Sequence, residues 1–199
     1  MAIYYSFDTP SLFKADQGED KTLWRTTWKG EWASQSPLNA ISQSTIGGGA
    51  EGSPGYLSLL GQESDQFYVE STPAWWPRRT DFDLRETYAS FYLKEIQSVS
   101  VNVGYEPHLF IADSIPGDPI TGWYVKKPLE VGVDCWVLNE VSLKNDECLW
   151  LCYSGERSLD QVLSRTGFIG VMYLNGVDFR GVGANGVLGV DEFIYGLHE

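Results

Sequence analysis

The side chains able to carry chemistry in this chain are carboxylates, tryptophans and arginines rather than nucleophiles. Carboxylates fall in near-adjacent pairs: Glu63 with Asp65, Asp81 with Asp83, Asp146 with Glu147, Asp191 with Glu192. Two carboxyl groups about 5–10 Å apart suffice to hydrolyse a glycosidic bond. Nothing in the sequence brings a pair together in a cleft, so these acids are read as solvated. The only histidines, His108 and His198, stand outside any nucleophile or HExxH context. A glycosidase or lyase is the least favoured reading, and the chain is expected not to be an enzyme.

Asp191 lies in the last strand-like stretch, between Val190 and the Glu192-Phe193 pair. With Asp8, near the first strand, it would supply part of an all-oxygen calcium site. No EF-hand spacing accompanies the pair, and no other cofactor is expected. Cys135, Cys148 and Cys152 form no CxxC and are expected to be reduced and largely buried.

The leading binding candidates are Trp75, Trp76, Arg78 and Arg79, a cluster interrupted only by Pro77 and preceded by Pro73. Adjacent residues of an extended chain point opposite ways, so one tryptophan is expected inside and the other near the surface. The arginines would then stand beside it to stack or hydrogen-bond; a rim of the core is the competing reading. Trp24, Trp28 and Trp32 recur every four residues, but Thr26, Thr27 and Gly30 disfavour a helix. They read as extended chain packed on the core rather than as a sugar-stacking platform. Residues Gly181 to Gly186 spell GxGxxG, yet Val187 to Phe193 form a strand pattern where pyrophosphate binding needs a helix.

The elements that must position these groups are strands. From Val99 to Val103 apolar residues alternate strictly with polar ones within the stretch Glu95 to Gly104, the period of a half-buried strand. Cys148 to Tyr153 is apolar on both faces, as in a central strand. Phe168 to Leu174 and Val187 to Tyr195 are further strand candidates, with Asn175-Gly176 and Asn185-Gly186 read as tight turns. Loops are marked by Ile46 to Gly55 and by Pro116 to Pro119. One helix is expected over Ser158 to Arg165, with Ser158 as N-cap, Gln161 completing a capping box and Gly167 ending it. Residues 1–199 therefore predict one all-β domain, an antiparallel β-sandwich (jelly roll) with one short helix.

Composition narrows the partners. Of 199 residues, 43% are hydrophobic and 14% aromatic, enough for a packed core with aromatic surface left over. Net charge is −13, from 14 basic against 27 acidic residues, which repels nucleic acid and anionic membranes and suits a basic partner. No apolar run reaches the roughly 20 residues of a membrane span, and Met1 to Asp8 shows no signal-peptide pattern.

The ordered residues resemble the laminin IV (laminin B) type domain, a galactose-binding-like jelly roll. The matching pieces are Phe7-Asp8, Gly52 to Leu57, and Phe67-Tyr68-Val69 leading to Pro73-Ala74-Trp75-Trp76. They continue through Leu84 to Leu93 with Tyr88 and Phe91, Trp136 before Val141-Ser142-Leu143, Ser158 to Leu163, and the closing Gly186 to Phe193. Glu192 stands where that family has Asn, and no Asn-x-Ser/Thr acceptor is present. The resemblance implies a jelly roll with a non-enzymatic role.

The reading favoured on these grounds is a structural or adhesive component of a larger assembly. Specifically, it is a phage or virus surface protein such as a capsid decoration, cement or tail accessory protein, docking on capsid or tail partners and capable of homo-oligomerising. The alternative is a lectin-like carbohydrate-binding module with a glycan partner. Localisation would be the virion surface or, for a cellular protein, a soluble compartment reached without a visible export signal.

Overall fold

The computed structural model describes residues 3–5, 24–25, 41–44, 47–61, 68–71, 83–101, 103–113, 119–175 and 184–198. Two six-stranded antiparallel sheets face each other. The first runs β3 (Ile41–Ser44), β4 (Tyr56–Gly61), β12 (Ala184–His198), β6 (Thr87–Val101), β9 (Val137–Ser142). A further strand, β1 (Ile3–Tyr5), pairs with β12 at Phe193, Ile194 and Tyr195, beyond the stretch that β4 occupies. The second runs β10 (Trp150–Ser154), β8 (Gly122–Val125), β7 (Glu106–Asp113), β11 (Thr166–Leu174), β5 (Tyr68–Ser71), β2 (Trp24–Arg25). This is the expected antiparallel sandwich, with one short helix, α1 (Leu159–Leu163), among the described residues.

Side-chain alternation builds the core. On β6, Ala89, Phe91 and Leu93 point into the sandwich and are fully buried, while Tyr88, Ser90 and Tyr92 between them are half-buried on the outside. Phe91 stacks on Phe193 of β12 at 4.6 Å between ring centres. Leu109 and Ile111 of β7, Ile169 and Val171 of β11 and Trp150 of β10 answer from the second sheet. A second buried cluster, with Phe110, Tyr124, Phe168 and Met172, occupies the opposite face of that sheet. That explains why β11 is buried along its whole length rather than on alternate residues.

Several expectations shift. The alternation through Val103 stops at Val101, because residues 103–104 turn the chain into β7 with Gly104 at φ 87° and Val103 wholly exposed. Cys148 to Tyr153 is not a central strand. Its first two residues are exposed, and β10 pairs only with β8 at the end of its sheet. Its double apolarity arises because Trp150 faces the sandwich while Leu151 and Tyr153 pack on the outer cluster. Asn185-Gly186 is not a turn but lies inside β12, where the register against β6 slips and Gly186 takes φ 129°. The capping box of Ser158 and Gln161 is present, but α1 ends at Leu163 and Gly167 belongs to β11. Cys135 and Cys148 are exposed and Cys152 half-buried, against the expectation of burial, because the first two sit in turns.

The extended reading holds for Trp24, while Trp28 and Trp32 lie outside the described residues, as do Asn175-Gly176's second half and the loop centre at Pro116. β12 continues through the last glycine of GxGxxG, so no helix follows it.

One buried ion pair pins the second sheet. Asp113, 1% exposed, accepts from the Thr121 amide at 2.8 Å and from Arg157 Nη2 at 3.1 Å, with Arg157 Nε also on its other oxygen. Removing one partner leaves a buried charge uncompensated. Arg157→Ala should therefore cost about 3–5 kcal/mol in urea unfolding with an unchanged m-value. A loss below about 1 kcal/mol would mean that the pair is solvated in solution.

Candidate functional site

The outward faces of the two sheets differ in what they offer. On the second sheet His108, Phe110, Tyr124, Phe168 and Met172 are all 5% exposed or less, so that face presents no open platform. His108 is fixed there by a hydrogen bond from Nδ1–H to the Val125 carbonyl at 2.8 Å and an edge contact with Tyr124, and burial lowers its pKa. A buried, carbonyl-bonded imidazole is a poor general base for a surface-bound substrate.

The outer face of the first sheet is open. Its register aligns Ser58 of β4, Gly189 of β12 and Lys94 of β6 across one level, and Asp191 with Tyr92 on the next. Leu138 and Glu140 of β9 extend these rows beside Tyr92 and Ser90. Tyr56, Tyr88, Tyr92 and Trp136 are half-buried on this face, with Lys94, Ser58 and Ser90 among them and Glu51 and Glu140 exposed at its margins.

Trp136 enters from the turn before β9. Its indole N–H donates to the Gly48 carbonyl at 2.7 Å and its ring meets Tyr56 edge-on at 5.5 Å. Gly189 makes room for it: a Cβ there would come within 2.6 Å of the indole and 2.9 Å of Ile96. Tyr92 reaches Glu51 through a long hydrogen bond of 3.4 Å. Burial, and then the Glu51 charge, raise its phenol pKa, so it stays a neutral donor.

Beneath the aromatics lies Asp191, fully buried. Its Oδ2 accepts from the Ala50 amide at 2.7 Å and its Oδ1 from the Glu192 amide at 2.8 Å, with a further hydrogen bond to Ser53. Those bonds hold the glycine-rich segment 47–53 over the sheet. Gly49 is required there, since a Cβ would lie 2.7 Å from Asp191 Oδ2 and 2.5 Å from the Gly55 carbonyl. Burial outweighs the amide donors and pushes the Asp191 carboxyl up to about 7.

Of the site residues expected from sequence, only Asp191 is among the described residues. Trp75, Trp76, Arg78 and Arg79 lie outside the described residues, and so does Asp8, the residue expected to join Asp191 in a calcium site. The described residues hold no group of three or more His, Cys, Asp or Glu side chains fit for a metal. Asp191 meets backbone N–H donors on both oxygens, an arrangement that needs no cation to satisfy them. Among the carboxylate pairs, Asp146 and Glu147 sit exposed in a turn, as the solvated reading expects, whereas Asp191 departs from it, being fully buried where backbone amides satisfy its oxygens. Sequence reasoning missed the platform of Tyr56, Tyr92, Lys94 and Trp136. The outward positions of β6 carried a signal, Tyr88-x-Ser90-x-Tyr92-x-Lys94 with period two, but Trp136 reaches it from a turn.

No family model matches the chain, and no curated protein matches it. Solved structures do. The family 11 carbohydrate-binding module from Clostridium thermocellum, in complex with a β-1,3-1,4-mixed-linked tetrasaccharide, aligns at 16% identity and TM-score 0.50 over 92% of this chain and 95% of its own. The solution structure of CtCBM11 aligns at 17% identity and TM-score 0.50, over 92% and 90%. The L4b domain of human laminin alpha-2 aligns at 9% identity and TM-score 0.41, over 85% and 96%, too distant to bear out the laminin IV resemblance specifically. The two family 11 likenesses, with the two antiparallel sheets, establish the fold as a jelly-roll β-sandwich. No helix among the described residues is long and apolar enough to cross a membrane.

Because the folded carboxyl of Asp191 holds its proton to about pH 7 and an unfolded one only to about 4, the folded state binds more protons between those values. Stability conferred by the neutral acid is complete below pH 4 and lost as pH rises toward 7. Melting temperatures of the wild type should thus fall relative to Asp191→Asn across that window. A bound dication would favour the anion and reverse the slope. In that case EDTA would lower the melting temperature, and an unchanged value would dismiss the calcium reading.

Proposed function

We propose that this chain is a non-catalytic carbohydrate-binding module that lays a polysaccharide across the outer face of its first sheet. The observation that carries the reading is the half-exposed row of Tyr56, Trp136, Tyr92 and Tyr88, interleaved with Ser58, Lys94 and Ser90. Aromatic rings offer flat apolar area to the C–H faces of sugars, and hydroxyl and ammonium groups beside them satisfy sugar hydroxyls. The ring of Trp136 is held from below by Gly189 and from its N–H by Gly48, so little order is lost when a sugar stacks on it. The jelly-roll fold shared with a family 11 module in complex with a mixed-linked tetrasaccharide lends this reading support. His108 is sequestered, and among the described carboxylates Asp146 and Glu147 stand exposed in a turn rather than in a cleft, which suits binding without turnover.

A capsid decoration, cement or tail accessory role, the reading that composition favoured, draws no support from the fold or from the structural likenesses. Its virion-surface localisation and its capsid or tail partners stand equally unsupported.

Affinity electrophoresis against soluble mixed-linked β-glucan, xylan and mannan would test the proposal. Trp136→Ala and Tyr92→Ala should each weaken binding to the preferred polysaccharide at least tenfold, while Tyr92→Phe loses less. Retained binding in Trp136→Ala, together with loss in Trp76→Ala or Arg78→Ala, would relocate the site to the 75–79 segment. Failure to retain any of the three polysaccharides would count against the carbohydrate reading itself.

A further inference from the structure

Among the described residues, the strand order leaves β9 at the end of the first sheet, paired only with β6. The phase of that ladder is fixed by the Leu143 amide, which donates to the Thr87 carbonyl at 2.8 Å. Tyr88 and Ser142 are therefore a non-hydrogen-bonded pair. Alternation turns the backbone groups of Val137, Asn139 and Val141 toward β6 and those of Leu138, Glu140 and Ser142 toward the open edge.

A groove of about 420 Å³ runs along this edge, between β9 and the facing residues 125–130 and 148–149. Leu138 and Leu149, 46% and 47% exposed, flank it with Val125 and Pro128. The Ser142 hydroxyl is buried at its wall without a hydrogen-bond partner. Asn139 closes the inner side, binding both the amide and the carbonyl of Glu130 at 2.9 Å. Lys126 is engaged with the Cys148 carbonyl at 3.0 Å.

Donors and acceptors that recur every second residue, about 6.6–6.8 Å apart, match another extended polypeptide along its length. A second copy of this chain is a poor candidate. The two-fold register that would satisfy all three outward residues sets Glu140 against its own counterpart, like charges directly opposed, in a chain of net charge −13. The same exposed carboxylate, at the middle of the free edge, complements a cation.

We propose that β9 is a docking edge for an extended cationic peptide segment of a partner protein. The segment adds as a strand, with a lysine or arginine opposite Glu140 and apolar side chains in the groove. The outward-bonding residues of β9 carry their side chains on the outer face. The partner's basic residues are therefore those that bond to the edge, and its apolar residues fall on the groove side. This edge borders the sugar platform, since Leu138 and Glu140 lie beside Tyr92 and Ser90 at its margin, while the added strand would lie beyond β9.

The probe is an end-blocked octapeptide alternating lysine and valine, added to the whole chain at low ionic strength and followed by amide hydrogen exchange. The amides of Leu138, Glu140 and Ser142 should gain at least tenfold protection. The same peptide N-methylated at its lysine amides should bind at least tenfold weaker with its charge unchanged, and Glu140→Lys should weaken the parent peptide likewise. Glu140→Pro removes an outward N–H that the ladder to β6 does not use, so the fold persists while peptide binding drops; circular dichroism checks that fold. Equal binding of the N-methylated peptide, protection at other amides, no binding, or self-association that protects these three amides without peptide would each overturn the proposal.

Discussion

The open face of the first sheet depends on one carboxylate. Asp191 stands on the central strand β12 and takes amide hydrogen bonds from Ala50 and Glu192, so a segment distant in sequence is fastened over the sheet at one point. Glu192 adopts φ 47° to present its amide, a strained conformation for a non-glycine residue that the surrounding bonds must hold. Once Ala50 is fixed, Gly48 is in place to accept from the Trp136 indole and Glu51 to meet Tyr92. The aromatic platform is thus a consequence of how a buried acid is satisfied. Its orientation carries a cost, visible in the raised Asp191 pKa, because two amides and a hydroxyl do not replace water in full.

Among the described residues the same strand explains why the outward face of the first sheet is open and that of the second is not. β6 alternates large inward side chains with half-exposed outward ones, and on β12 the missing side chain of Gly189 leaves room for the Trp136 indole. On the second sheet both faces carry large apolar groups, and the outer set is buried as thoroughly as the sandwich interior. A face that is already dry and packed gains little by binding a sugar, whereas one holding half-wet rings and partly exposed polar groups gains both stacking and hydrogen bonds.

Legibility in the sequence followed the range of the physics involved. Local signals served best: period-two alternation marked the end of β6, and runs of β-branched and aromatic residues marked β11 and β12; the capping box of Ser158 and Gln161 is equally local, and α1 begins where it predicts. Boundaries failed where a tertiary event overrode the pattern: the turn at Gly104 that cut off Val103, or the slip at Gly186 that absorbed an Asn-Gly pair into a strand. Cys148 to Tyr153 misled because apolar residues on both faces signal either a central strand or an end strand with a cluster on each side. The platform itself unites residues from positions 48 to 191. Trp136 is attached to it through a carbonyl 88 residues away, a relation that no spacing rule encodes.

Charge completes the picture, because it acts on both surfaces at once. A net charge of −13 leaves a neutral glycan indifferent at long range while drawing cations toward the chain and driving copies of it apart. At the end of the first sheet this general repulsion is sharpened into a specific one, since Glu140 would confront itself in the register that would otherwise join two sheets. An end strand with three unused backbone pairs and exposed Leu138 would invite aggregation without such a guard. The residue that forbids the homologous pairing is also the one a basic strand would neutralise. The property that keeps this edge free therefore selects what can occupy it.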